Sequence, residues 1–224
     1  MTPTRIDGPA TRRDPARVQA DILRAATAEF VQNGFAGARV DEIAARTHTT
    51  KRMIYYYFES KEKLFTSVMD STFTEFWRTE SRLDVTGLDP VAAMRLFAED
   101  RFDVYFENSD FVRLLAIEDR RAASHFASRA AQRVRDSLSV DAVSEVLARG
   151  VSQGLFRADI DAIDVRMLVV SYASFRSVFR CSVETVYGRD MLEESAKAFY
   201  RRLAGDMLVA TLTSSREASA ITAC

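Results

Sequence analysis

An all-α protein is predicted, and three observations predict it. Long stretches rich in Ala, Leu, Arg and Glu carry few β-branched clusters. Only four prolines occur, the last at Pro90, so beyond it only sparse glycines interrupt helical sequence. Apolar residues recur at helical spacing along most of the chain. With 224 residues, 47% of them hydrophobic and 28% charged, the chain can build a real core. Its length suits one large domain, or a small one joined to a larger.

Each element has a local reason. Residues 1–13 mix Gly, Pro, Thr and Arg and read as a flexible arm. Asp14-Pro15 is a helix start, with Asp as N-cap and Pro at the first helical position. That helix runs to about Asn33 on an apolar face of Val18, Ile22, Leu23, Ala26 and Phe30, and Asn33-Gly34 stops it. A short helix over about 40–47 has Ile43 and Ala44 on its apolar side, and another over about 50–57 is capped by Thr49 or Thr50. Only His48 and Thr49 separate the two, which is helix-turn-helix spacing. The turn needs positive φ, a conformation His adopts more readily than most non-glycine residues. Ile43, Ile54 and Tyr57 are expected to form the wedge between these helices.

Ser60 caps a helix over about 61–82 with Leu64, Phe65, Val68, Met69, Phe73, Phe76 and Trp77 on its apolar side. Gly87, Asp89 and Pro90 mark a break, and Asp89 caps a helix to about Asn108. Asn108-Ser109-Asp110 breaks the chain again before a helix from Phe111. Residues 122–150 read as one helix or two, and 150–161 as a loop. Helices over 162–181 and 192–212 follow, separated by a loop around Tyr187-Gly188-Arg189-Asp190. The organisation expected is an arm (1–13), a three-helix helix-turn-helix domain (14–60), a larger helical domain (61–212) and a frayed tail (213–224), with about nine helices.

Charge excludes some functions and localises another. The net charge of −1 hides an asymmetry: residues 1–65 hold eleven Lys and Arg against eight Asp and Glu. From Ile43 to Phe58 there are three cations, Arg46, Lys51 and Arg52, and no acid. Cys181 and Cys224 are too few for a disulfide framework, and with His48 and His125 the only histidines, no metal site or cofactor is expected. No uncharged apolar segment is long enough to span a bilayer, and no signal peptide is recognisable, so a cytoplasmic protein without membrane contact is expected. No Gly-rich phosphate loop or nucleophile–base arrangement marks an enzyme.

Residues 49–65 carry the chemistry. Two hydroxyls, two cations and three consecutive tyrosines share one short helix, and Lys61 opens a capped helix directly after it. A recognition helix reads base edges with its N-terminal residues while its flanks grip phosphates. Thr49, Thr50, Lys51 and Arg52 sit where that requires, and Arg52 can pair bidentately with guanine. Met53 offers an apolar contact to a thymine methyl. Lys61 adds charge to a helix N-terminus that already favours anions. Tyr57 and Phe58 are read as core.

This region resembles the TetR family of bacterial regulators. The resemblance rests on Gly34-Phe35, Val40-Asp41-Glu42-Ile43-Ala44, Lys51-Arg52-Met53-Ile54-Tyr55-Tyr56-Tyr57-Phe58 and Ser60-Lys61-Glu62-Lys63-Leu64, and spans about residues 15–66. The sequence departs from the family pattern at His48, where Gly is usual, and at Ala38-Arg39, where a hydroxyl residue commonly caps the second helix. There Arg39 either supplies a phosphate contact of its own or the cap is lost.

The resemblance implies a ligand-responsive homodimer on a palindromic operator in double-stranded DNA, with Tyr55 and Tyr56 meeting phosphate or a base edge. It implies a small-molecule pocket, for which Trp77, Phe97, Arg101, Phe102, Tyr105, Phe111, Leu115, Glu118, Phe175 and Arg176 are the candidates. The effector is then aromatic or anionic. Arg101 either binds an anion or forms a structural pair with Glu118, and Arg176 poses the same question. The last two long helices are implied to dimerise through Met167, Val170, Ser171, Ser174, Val178, Leu192, Ala196, Phe199 and Leu203, the alternative being ordinary intrachain core. A repressor is expected, with an activator or a helical interaction module that does not touch DNA as the rival readings.

Overall fold

The computed structural model describes residues 14–80, 83–85, 87–118 and 138–213. The expected arm, residues 214–224 of the expected tail, Ala122, His125 and Cys224 lie outside these. Among the described residues there are ten helices and no strand: α1 (Pro15–Gly37), α2 (Val40–Thr47), α3 (Lys51–Phe58), α4 (Lys61–Glu80), α5 (Pro90–Glu107), α6 (Ser109–Ile117), α7 (Leu138–Ser152), α8 (Ala162–Val178), α9 (Arg180–Tyr187) and α10 (Glu194–Thr213). None of them is long and apolar enough to cross a membrane. The chain forms two compact units, Met1–Val68 and Met69–Cys224, so the division falls inside α4.

In the first unit the expected local signals operate. Asp14 accepts from the Ala16 N–H at 3.0 Å and caps α1. Thr50 caps α3, its Oγ1 accepting from the Met53 N–H at 3.2 Å. His48 closes α2 in the left-handed conformation, φ 51° and ψ 36°. Ile22, Ala26, Phe30, Ile43, Ile54 and Leu64 are fully buried. Each of the larger of these side chains contributes roughly 1.5–3 kcal/mol by leaving water. Tyr57, expected in the wedge, is only half-buried, and Phe58 takes the buried position instead.

Two departures matter. α1 does not end at Asn33-Gly34 but resumes for a further turn to Gly37, after a kink at Gly34 with φ 64° and ψ 178°. A left-handed φ with extended ψ is open only to glycine. The kink folds Phe35 back onto Phe65, with ring centres 5.2 Å apart, and Phe65 meets Phe30 edge-on at 5.1 Å. Between α3 and α4, Glu59 adopts φ 62° and ψ −48° while the Ser60 N–H donates to the Phe58 carbonyl at 2.6 Å. This is a γ-turn with positive φ, a strained form for a residue with a side chain. It spares only two residues for the junction.

The second unit packs α5 at its centre, against α8, α10 and α7. Asp89 caps α5, accepting from the Val91 and Ala92 N–H groups at 3.0 and 3.1 Å. Asp161 and Asp164 form a reciprocal capping box at the start of α8. Along the α5–α10 contact run ion pairs at helical spacing: Arg95 to Asp206 at 2.6 Å, Arg201 to Glu99 and Asp103 at 2.5 and 2.8 Å, and Lys197 to Glu107 at 3.2 Å. Gly205 lies beneath Arg95, and a Cβ there would come within 3.0 Å of the Arg95 Cγ.

Four boundaries differ from expectation. α10 begins at Glu194, two residues later than expected, so Leu192 precedes it. α6 starts two residues earlier, at Ser109. The helix expected over 162–181 breaks at Phe179, and residues expected to enter a loop form α9 instead, ended by Gly188 at φ 62°. No proline or glycine marks the break at Phe179, so nothing local announces it. α7 continues past Gly150 to Ser152 because the loop folds back beneath it: both Leu155 and Phe156 donate to the Gly150 carbonyl, at 2.9 and 3.2 Å.

Candidate nucleic-acid interface

The exposed side of α3 is built by what the other side buries. Ile54 and Phe58 anchor the helix in the core, Tyr57 is half-buried, and the other five residues are exposed. Lys51 and Arg52 are exposed, Met53 and Tyr55 are each 37% exposed and Tyr56 75%. Arg39 is exposed beside the start of α2, Thr50 is exposed at its capping position and Thr49 is half-buried. The expected contact residues of this unit are thus brought to accessible positions on α2, α3 and the turn between them. A tyrosine left three-quarters in solvent contributes little to folding and offers its ring and hydroxyl to a partner.

Two of these cations have partners inside the unit. The Lys51 ammonium donates to Asp41 at 3.0 Å, and that hydrogen bond raises the lysine further above its ordinary range, so it is fully charged at neutral pH. Both groups are exposed, and phosphate can replace the carboxylate at little cost. Lys61 is half-buried, with its Nζ 3.4 Å from the Ala36 carbonyl oxygen and 5.0 Å from the centre of the Phe35 ring. This turns it toward the end of α1 and away from an unobstructed phosphate contact.

The N-terminus of α2 was the doubtful point of the sequence, and Glu29 resolves it. Arg39 provides no side-chain cap. Instead the Glu29 carboxylate, 1% exposed, accepts from the Arg39 N–H at 3.1 Å and from Asn33 Nδ2 at 2.9 Å. Its other oxygen pairs with Arg46 Nη2 at 3.0 Å. One buried acid on α1 therefore caps α2 and ties down its last turn. The readable signal was an acid on the α1 stripe of Ile22, Ala26 and Phe30, where ionised groups occur only with partners.

The second unit gathers most of the expected pocket residues in its interior. Phe97, Arg101, Phe102, Tyr105 and Phe111 are buried, and Trp77, Leu115 and Glu118 half-buried. Phe76 meets Tyr105 edge-on at 5.1 Å and Phe111 at 4.9 Å, while Phe73 meets Trp77 at 5.7 Å. Trp77 Nε1 is buried without an acceptor among the described residues. The Arg101 guanidinium, 0% exposed, pairs with Asp100 and lies 5.8 Å from the Phe97 ring centre. On α6 the buried residues are Phe111, Val112 and Leu114, and the helix ends at Ile117 with Glu118 as its cap. The expected 111–115–118 stripe is therefore displaced to one side of the buried sector.

Phe175 and Arg176 separate. Phe175 is 48% exposed and stacked on Phe179 at 5.0 Å, outside the interior group. Arg176 is 4% exposed, because one residue along a helix turns the side chain by about 100°. Its guanidinium carbon lies 3.9 Å from the Tyr172 ring centre, 4.2 Å from Tyr200 and 5.3 Å from Phe102.

The stripe expected to dimerise lies open in the single chain. Met167, Ser171, Val178 and Phe199 are exposed, and Val170, Ser174, Leu192, Ala196 and Leu203 half-buried. Ile163, Leu168 and Met207, at 60%, 46% and 46%, extend this apolar surface of α8 and α10. Ser177, by contrast, points inward and is 1% exposed. Among the described residues no group of three or more His, Cys, Asp or Glu side chains is placed to hold a metal.

Comparison with known proteins finds a family match in each unit. Residues 22–68 match the family model of bacterial regulatory proteins of the tetR family, and residues 90–208 match the tetracyclin repressor-like C-terminal domain. The HTH-type transcriptional repressor NicS of Pseudomonas putida is 30% identical over 191 residues, 85% of this chain and 90% of that protein. The HTH-type transcriptional repressor SCO4008 of Streptomyces coelicolor is 29% identical over 199 residues, 85% of this chain and 97% of the other. The crystal structure of a TetR-like transcriptional regulator from Rhodococcus superposes with a TM-score of 0.56 at 20% identity, covering 89% of this chain and 96% of that one.

Proposed function

The chain belongs to the TetR family of bacterial regulatory proteins and is a DNA-binding transcriptional regulator; from that premise we propose that it works as a homodimeric repressor, released from a palindromic operator by a small-molecule effector. The observation that carries the reading is the outer face of α3. Lys51, Arg52, Met53, Tyr55 and Tyr56 stand exposed on a short helix whose opposite side is fixed in the core. Such a face fits a major groove. In this reading Arg52 and Met53 read base edges, and Arg39, Thr50, Lys51 and Tyr56 set register on phosphates.

A palindromic operator requires two such helices about 34–36 Å apart. The open apolar surface of α8 and α10 supports pairing of two chains, since Met167, Phe199 and Met207, each about half exposed to water, favour burial against a second copy. The printed names of NicS and SCO4008 support repression. An effector enters as a molecule that binds one of two states better and so lowers operator affinity.

Selection of bound fragments from genomic DNA, followed by titration of the selected duplex, tests this. Lys51→Ala is expected to weaken all duplexes and reduce the salt slope by about one counterion. Arg52→Ala is expected to lose roughly 1–3 kcal/mol of discrimination at one base pair of each half-site. Phe199→Glu is expected to sediment as a monomer at micromolar concentration where the parent is a dimer. A folded protein that holds no duplex more tightly than scrambled competitor refutes the proposal.

A further inference from the structure

Among the described residues, Arg176 is a buried cation set among aromatic rings. Among the described residues no carboxylate pairs with it, although it is 4% exposed. Nη1 donates to the Tyr172 carbonyl at 2.7 Å, and Nε is buried with no hydrogen-bond partner. Burial pushes the guanidinium below its ordinary range and the Tyr172 hydroxyl above its own, so the tyrosine supplies no charge. Arg95, Arg157, Arg180 and Arg201 of this unit each have a carboxylate at 2.5–2.7 Å, and Arg149, whose Nε also lacks a partner, is only half-buried.

An isolated ion in dehydrated surroundings is costly, and cation–π contacts return only part of that cost. A guanidinium also wants acceptors in its own plane. The Tyr172 and Tyr200 ring centres lie 3.9 and 4.2 Å from the guanidinium carbon. The edge that bears Nε has no acceptor, and it is closed over in the free protein, so an anion reaches it only as the side chains that cover it part. That edge offers two parallel N–H groups, the geometry that carboxylate and phosphate oxygens fit.

We propose that Arg176 is the anion-recognition residue of the effector site, taking a carboxylate or phosphate group of a small organic effector edge-on between Tyr172 and Tyr200. The proposal rests on the regulator reading above for the word effector, but the anion site itself can be tested apart from DNA.

Calorimetry on the full-length protein with benzoate, phenyl phosphate and neutral benzamide reads it directly. Benzoate or phenyl phosphate is expected to bind while benzamide does not, and the tighter of the two anions identifies the source of the oxyanion. Arg176→Lys keeps a cation and the fold but loses the fork, and is expected to bind at least about tenfold more weakly. Arg176→Met is expected to abolish binding. Equal binding of benzamide, unchanged anion affinity in both variants, or no anion binding to the parent at millimolar concentration would each overturn the proposal. Operator titration separates the two readings. Anion binding that leaves the operator bound supports the site and counts against its regulatory role. Operator release by a molecule that Arg176→Met still senses overturns the site and leaves the regulator standing.

Discussion

Replacing Glu29 by alanine should cost more than any single surface change in the first unit. Two donors lose their acceptor at once, Asn33 Nδ2 at 2.9 Å and the Arg39 N–H at 3.1 Å, and Arg46 loses an ion-pair partner at 3.0 Å. The Arg39 contact stands in for a helix N-cap, worth about 1 kcal/mol. The Asn33 bond to a buried carboxylate is worth roughly 1–2 kcal/mol. Arg46 is 41% exposed at its side chain, so its share is screened and about 0.5 kcal/mol. Losing one buried methylene adds about 0.8 kcal/mol, and release of a dehydrated charge offsets part of the total. The net expectation is about 2–4 kcal/mol. Glu29→Gln keeps an acceptor for Arg39 and Asn33 and should lose only about 1 kcal/mol. Urea unfolding followed by circular dichroism gives both numbers, with unchanged slope. Amide exchange at Glu42 and Ile43, which bond back to the Arg39 carbonyl at 3.1 and 3.3 Å, should speed up first. A Glu29→Ala protein within about 0.5 kcal/mol of the parent would refute the reasoning, because the cap would then be supplied by water.

Two other perturbations follow from the second unit. Gly150→Ala would place a Cβ 2.0 Å from the Phe156 ring, which is buried beneath the helix; displacement of the ring should cost about 1–3 kcal/mol by thermal or urea unfolding, and an unchanged midpoint would show that the loop moves freely. Asp190 is held below the usual carboxylate range first by Arg180, at 3.0 and 2.6 Å, and then by the Leu192 N–H. Its contribution is therefore full above the unfolded-state value and fades as pH falls through the lower folded one. Asp190→Asn should be less stable than the parent at pH 7, by a small salt-screened margin, and equal to it near about pH 2; a difference that persists in acid would point to packing instead of charge.

What the sequence made legible was local. Asp14, Thr50, Ser60 and Asp89 announce helix starts because each cap bonds an amide two or three residues away. His48 announced its own conformation by standing alone between two helices. The residues of the α3 face were legible for the same reason: an eight-residue helix with two buried anchors leaves little choice about which side is outside. Glu29 was not, since its meaning lies ten residues away at Arg39 and seventeen away at Arg46. Phe175 and Arg176 show the other limit. Both sit in an apolar run, and a one-residue error in the phase of α8 exchanges surface for interior.

The alternating charges along α5 and α10 act as a vernier between two rods. Arg95 answers Asp206 at one end and Glu107 answers Lys197 at the other, with Arg201 shared between Glu99 and Asp103 in the middle. Sliding α10 by one turn in one direction would carry Arg95 toward Arg202 and Glu107 toward Glu193, setting like signs together, and in the other would face Arg95 with Ala210; either slide parts Arg95 from Asp206 and lifts it off the notch at Gly205. The native setting is the one that satisfies all of these partners at once. A change of shape that a bound molecule drives through these helices keeps them only as a small tilt, whereas a ratchet by a full turn would forfeit the Arg95–Asp206 pair and the fit at Gly205.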